Sequence, residues 1–141
     1  MIFEGVNDIG TEATSTQAQK AVGDALIKAF TQIAADAKKA GLITIGATIT
    51  PFGAPSPSQQ AYSDPNREAT RQRVNQWILT SKTFDYVVDF GKTVASTTTP
   101  SQLDSKYNGG DYLHPNVAGF KAMADAVPLG IFKVSRRKWW S

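Results

Sequence analysis

Residues 42–50 read Leu-Ile-Thr-Ile-Gly-Ala-Thr-Ile-Thr, a run without charge, rich in β-branched side chains, and bounded by Gly41 and Pro51. Such a run reads as a buried strand. Its flanks decide what kind of sheet it joins. Upstream, Val22, Leu26, Phe30, Ile33 and Ala37 recur at steps of three or four, which predicts a helix from Thr16 to Ala40 with those residues inward. Ser15 or Thr16 can cap its first N–H groups, Lys38 and Lys39 suit its negative end, and Gly41 is a natural left-handed stop.

Downstream, Pro51 ends the strand and residues 52–63, FGAPSPSQQAYS, read as a loop. Asp64-Pro65 is a cap followed by proline at the first helical position, predicting a helix to about Thr80. Val74, Trp77 and Ile78 form its expected inner face, and Arg67, Arg71 and Arg73 its solvated side. Phe84–Phe90, FDYVVDF, reads as another strand. At the start of the chain, Ile2–Val6 reads as the end of a strand entering a loop at Asn7-Asp8. After Phe90 comes a long connection, Gly91–Gly110, and a last helix from Asn116 to Ala126 with Ala118, Phe120, Ala122, Met123 and Ala126 available for packing.

Strand, helix, strand, helix, strand, loop, helix is the order of an open parallel α/β sheet with right-handed crossovers. In such sheets sites collect at the carboxyl ends of the strands. Asn7, the loop 51–63 and the segment Asp111–His114 all fall at that edge.

Composition limits the function classes. One domain is the expectation for 141 residues, with the α/β body at 1–132 and a basic aromatic tail, KVSRRKWWS, at 133–141. That tail holds Lys133, Arg136, Arg137 and Lys138 and no acid, so the net charge of +3 leaves a near-neutral body. A nucleic-acid-binding domain would show a basic face on its folded part, and none is visible. With no cysteine, disulfides, thiolate metal sites and cysteine nucleophiles are excluded. The first residues lack the basic and apolar regions of a signal peptide, and no apolar stretch reaches the length of a membrane span.

Two groups of residues carry chemistry. His114 is the sole histidine, and Asp111 precedes it by three positions, between Gly109-Gly110 and Pro115. In a turn, such a carboxylate can accept a hydrogen bond from one ring nitrogen, fix the tautomer and leave the other nitrogen free to take a proton. Taken alone, Asp111 also reads as a local cap beside an ordinary histidine. Asn7, at a strand end, can aim its amide at a developing oxyanion, although taken alone it reads more readily as a turn residue.

Together the two segments resemble a known family. GVNDIG at 5–10 is similar to the third conserved block of the GDSL/SGNH hydrolases, Gly-x-Asn-Asp. GGDYLHPNVAGFKAMADAV at 109–127 is similar to the fifth, Asp-x-x-His with its following Pro-Asn and glycine. ITIGATITPFG and the helix with Arg71-x-x-Val74-Asn75-x-Trp77-Ile78 also look like this family. The resemblance implies a flavodoxin-like three-layer α/β/α fold with a five-stranded parallel sheet. It implies His114 as general base, Asp111 as its orienter and Asn7 as an oxyanion-hole donor. The implied reaction is hydrolysis of carboxylic esters through an acyl-enzyme, without metal or cofactor, on small esters, acylated sugars or lipids.

The first block, Gly-Asp-Ser with the nucleophile, and the second, with an oxyanion-hole glycine, have no counterpart in this sequence. About three strands of the family sheet are therefore expected, as in an N-terminally truncated domain. Ser56, Ser58 and Ser63 are weak candidates for a substitute nucleophile, since loop serines near prolines are ordinary loop residues. The strand ending at Asn7, left without the family's first strand beside it, has an open edge, so self-association or pairing with a missing N-terminal segment is expected. Two other readings stand beside ester hydrolysis: a catalytically inactive α/β binding module, and nucleic-acid binding through the 133–141 tail.

Overall fold

The computed structural model describes residues 1–132; the tail singled out in the sequence, 133–141, lies outside the described residues. The centre is a short parallel sheet. Strand β1 (Ile45–Ala47) pairs with β2 (Tyr86–Val88) in the register Ile45↔Tyr86, Gly46↔Val87, Ala47↔Val88. On the other side of β1, Ile2 makes a parallel bridge to Gly46, donating to the Ile45 carbonyl at 2.8 Å and accepting from Ala47 N–H at 2.9 Å. The order across the sheet is therefore Ile2, β1, β2, all parallel, as the alternation of strands and helices requires.

Helices lie on both faces. Helices α1 (Val6–Thr11), α2 (Thr16–Lys39) and α3 (Pro65–Thr80) enclose one core with Ile9, Leu26, Phe30, Ile49, Phe52, Val74, Ile78 and Phe84. Helices α4 (Phe90–Val94) and α5 (Val117–Asp125) enclose the other with Ala47, Val88, Phe90, Val94, Leu103 and Met123. This is the three-layer α/β/α arrangement expected from sequence. Each fully buried aliphatic or aromatic side chain in these cores contributes on the order of 1.5–3 kcal/mol relative to exposure.

The helix caps follow the sequence closely. Ser15 accepts from Ala18 N–H at 3.2 Å, and Asp64 accepts from Asn66 and Arg67 N–H at 2.8 and 3.1 Å. The strands are shorter than the runs 42–50 and 84–90. Leu42 and Ile43 are exposed, and past Ala47 a side chain replaces the neighbouring strand: Asn75 accepts from Ile49 N–H at 2.7 Å and donates to Ile49 C=O at 2.8 Å. Both backbone groups of Ile49 are satisfied without a ladder, so the segment stays buried and extended but is not sheet.

Several other expectations are corrected. The start of the chain does not run from a strand into a loop: only Ile2 is bridged, and a helix begins at Val6. The inner face of α2 is Gln19, Gly23, Leu26, Phe30 and Ala34, while Ile33 is half exposed. The inner stripe lies one position away from the one marked by the apolar residues because Gln19 and Gly23, which no hydropathy pattern flags, are inside. Gln19 is buried because its amide donates to the carbonyls of Ile9 and Ala13 at 3.1 and 3.0 Å, tying α2 to α1. Arg71 is not on a solvated side: it is buried, doubly hydrogen-bonded to Glu68 at 2.6 and 2.7 Å, and bonded to the Ile49 carbonyl at 3.1 Å. Phe120 is exposed rather than packed. The end of the expected strand 84–90 is already helical, since α4 starts at Phe90, and the connection that follows holds an antiparallel bridge, Ala95↔Leu103.

Gly10 sits where a Cβ would lie inside the Tyr62 ring. Gly10→Ala is therefore expected to displace that ring and cost about 1–3 kcal/mol by overpacking, read as a lowered midpoint in urea. An unchanged midpoint would show that Tyr62 moves aside freely.

Candidate active site

The Asp111–His114 segment is a turn built by its own side chains. Asn108 accepts from Gly110 N–H at 2.9 Å and Tyr112 N–H at 3.0 Å, folding the chain back at once. Gly109 N–H donates to the His114 carbonyl at 2.8 Å, and a Cβ on Gly109 would stand 2.7 Å from that oxygen, so the closure needs glycine here. Tyr112 takes the left-handed conformation, φ 59°. Backbone held this way in a non-glycine residue is strain that the surrounding bonds must sustain. Asn116 locks the far side: it caps α5 by accepting from Gly119 N–H at 3.0 Å and donates to the Lys106 and Asn108 carbonyls at 3.0 and 3.2 Å.

Inside this turn both oxygens of the Asp111 carboxylate are engaged. One oxygen accepts from the N–H groups of Leu113 and His114 at 2.9 and 2.8 Å; the other lies 2.6 Å from His114 Nδ1. These bonds, the His114 ring contact first and the backbone N–H of His114 next, lower the Asp111 carboxyl from 3.8 to about 2. The carboxylate therefore presents a charge to Nδ1 and selects the tautomer with the proton there, leaving Nε2 as the acceptor. The pair is open to solvent, with the His114 side chain 71% exposed.

A folded value below the unfolded one means that these bonds add stability above the ordinary carboxyl range, and that this stability is lost as the pH falls toward the folded value. A carbon-13 titration of the Asp111 carboxyl is expected to show its midpoint near 2. In the variant His114→Ala the midpoint should move back toward 3.8, because the largest cause of the shift is gone.

Asn7 lies in the first turn of α1, not in a loop. Its Oδ1 accepts from the Tyr62 hydroxyl at 3.3 Å, and among the described residues nothing accepts from its Nδ2. The amide N–H groups are thus left to donate outward. Leu113, Tyr62 and Val6 pack against the same core cluster, which brings the histidine turn, the loop 51–63 and α1 to one region.

The three candidate serines are turned to other work. Ser56 and Ser58 bond to each other at 2.8 Å, Ser56 also donates to Gln59, and Ser63 both accepts from Ala54 N–H and donates to its carbonyl, at 2.9 and 3.2 Å. Among the described residues none of them bonds to His114. Gly110 and Tyr112, on either side of Asp111, line an open cleft of about 540 Å³ whose other walls include Ser96, Thr99 and Asp104. Among the described residues no group of three or more metal-ligating side chains comes together, and no helix is long and apolar enough to cross a membrane.

The sequence assigns no role to Asn108 or Tyr62, and Asn75 stands there only as part of the family-like helix motif. For Asn108 a signal existed in Asn-Gly-Gly, which marks a tight turn. Asn75 lies four positions after Arg71 on one helix face, but polar residues at helical spacing read as surface unless the buried carbonyl they serve is known.

Comparison with solved structures supports this architecture. The chain superposes on a Bacteroides fragilis NCTC 9343 protein provisionally assigned as an acylhydrolase, with a TM-score of 0.65 and 20% identity, over 94% of this chain and 60% of that one. It superposes on a Streptococcus pneumonia protein provisionally assigned as a platelet activating factor, with a TM-score of 0.61 and 22% identity, over 92% of this chain and 56% of that one. The chain thus spans about 60% or less of the length of these structures, and at such identities the likeness is one of fold. No curated protein matches it. The model of the GDSL-like lipase/acylhydrolase family matches residues 1–122, and the chain belongs to that family.

Proposed function

We propose that this chain supplies the base, its orienter and an oxyanion donor of a serine-type carboxylic ester hydrolase. The observation that carries this reading is the 2.6 Å contact between Asp111 and His114 Nδ1, with the other carboxylate oxygen held by two backbone N–H groups. A carboxylate fixed in this way orients the ring and stabilises the imidazolium that forms when Nε2 takes a proton.

In this mechanism Nε2 removes the proton of a serine hydroxyl, and the oxygen attacks the ester carbonyl. The negative charge on the carbonyl oxygen is met by the Asn7 amide. The imidazolium returns its proton to the departing alcohol, leaving an acyl-enzyme, and a water molecule activated by the same nitrogen releases the acid. No metal or cofactor enters the scheme. The nucleophile must stand within about 3 Å of Nε2. We place it on a segment outside this sequence, either elsewhere in a longer polypeptide or on a second chain. The outer side of the Ile2 segment suits such a partner: Ile2 bonds inward to β1, and Phe3, whose groups alternate to the other side, forms no backbone bond among the described residues. Small esters, acylated sugars and lipids are the substrate classes to test.

Hydrolysis of p-nitrophenyl acetate by the chain and by His114→Ala tests the reading. Without its serine the chain should show only a weak rate, orders of magnitude below that of the completed site, from water activated at His114. The rate is expected to fall to background in His114→Ala. Equal rates for the two proteins would favour an inactive α/β binding module instead.

A further inference from the structure

Asn7 and the His114 turn are far apart in sequence, and an exposed asparagine on a six-residue helix has little of its own to hold it. The loop 51–63 joins the two through side chains that the proposed chemistry does not use. Gln60 Nε2 donates to the Asp111 carbonyl at 3.2 Å, and its Oε1 accepts from Tyr62 N–H at 2.9 Å. The Tyr62 hydroxyl then reaches Asn7 Oδ1 at 3.3 Å. From Asp111 to Asn7 the path consists of two side chains and three hydrogen bonds.

Tyr62 is held firmly enough to act as a fixed post. Its ring lies against the bare Cα of Gly10, meets Phe52 edge to face at 6.3 Å between centroids, and carries the Arg67 guanidinium 5.9 Å from its centroid. Arg67 in turn donates to the carbonyls of Ala61 at 2.9 Å and Glu12 at 2.6 Å, fastening the tyrosine's loop to the end of the helix that bears Asn7. The hydroxyl has a consequence that ring packing lacks. A carboxamide can present either its oxygen or its N–H₂, and only the N–H₂ stabilises an oxyanion. With the Tyr62 hydroxyl donating to Oδ1, the orientation seen here leaves Nδ2 free.

We propose that Gln60 and Tyr62 form a positioning strap that orients the Asn7 amide and holds it in register with the Asp111–His114 turn. This rests on the ester-hydrolase reading for its purpose, but the strap itself can be tested without turnover.

The test is nuclear magnetic resonance of the whole chain and its variants. Tyr62→Phe keeps the ring and removes the hydroxyl. It is expected to shift the Asn7 side-chain amide resonances and the backbone amides of Leu113 and His114. In a Gln60→Ala background the same exchange should still shift Asn7 but no longer shift Leu113 and His114, because the link to Asp111 is cut. Gln60→Ala alone should move the Asp111–His114 turn. Tyr86→Phe, at an exposed position of β2, serves as the control. Unmoved Asn7 resonances in Tyr62→Phe would overturn the proposal and leave Tyr62 as packing alone. So would an effect on His114 that persists in full without Gln60. In a chain supplied with its serine, Tyr62→Phe should lower kcat about fivefold with KM unchanged, the pattern of an interaction realised in the transition state. A change in KM alone would also overturn it, whereas failure of the ester-hydrolase reading would leave the resonance shifts intact.

Discussion

Asp111→Asn is expected to reduce ester turnover by a factor of roughly 10⁴ in a chain supplied with its nucleophilic serine, by analogy with the same exchange in the serine-protease triad. The argument is one of tautomers. The asparagine oxygen can still accept from Leu113 and His114 N–H, where the carboxylate now holds bonds of 2.9 and 2.8 Å, so the turn should keep its shape. The amide N–H₂ then faces Nδ1 in place of an oxygen. It can only donate, which forces the ring proton to Nε2 and removes the base. Stability should change little, because both side chains of the pair are half or more exposed and such pairs contribute modestly. The measurement is kcat/KM beside a urea midpoint. A large fall in the midpoint with the loss of rate would mean that Asp111 serves the turn rather than the histidine. A rate within a few-fold of the parent would remove His114 from the role of base.

The second large effect is on folding. Arg71→Ala is expected to cost about 3–5 kcal/mol, the range for removing one partner of a buried ion pair. The Arg71 side chain is 6% exposed and Glu68 17%, so Glu68 would be left as a poorly solvated charge. The Ile49 carbonyl would lose one of its two side-chain donors, keeping only Asn75. Arg73→Ala provides the contrast: Arg73 pairs with Asp24 at 2.6 Å with both partners substantially exposed, and its loss should cost no more than about 1 kcal/mol. Equal losses for the two arginines, measured by urea denaturation, would refute the distinction. Arg71→Met is a useful third variant. If it recovers little, the cost lies in the stranded Glu68; if it recovers most, it lies in lost packing.

These two arginines show where sequence reading stops. Both stand on α3 among polar neighbours, and each looks like solvated surface. Their difference comes from Ile49, which precedes them by more than twenty positions and brings a carbonyl with no strand partner against one of them only. The same limit applies at the site. The pair Asp111 and His114 is legible because its bonds are local: three residues apart, in a turn declared by Asn-Gly-Gly and closed by Pro-Asn. Asn7 is legible as a residue type but not in its setting, since a helix of six residues after Gly5 leaves too short a pattern to detect. Gln60 and Tyr62 carry no signal at all. Each is an ordinary loop residue until the fold sets Asp111 beside one and Asn7 beside the other.

What the sequence determined by itself is therefore what short-range physics controls. The β-branched run at 42–50, the periodic apolar faces and the Ser15 and Asp64 caps specify parallel α/β order, and the Asp111–His114 spacing permits a hydrogen-bonded pair that the family resemblance then favours. Tertiary structure alone decided how long the strands are, because Asn75 takes the backbone of Ile49 away from the sheet. It also decided which face of α2 is inside, which arginine is buried, and that Asn7 is reached from the histidine turn through Gln60 and Tyr62. Each of these depends on a polar group meeting a partner far away in the chain, and the free energy of a buried polar group is set by whether that partner is present.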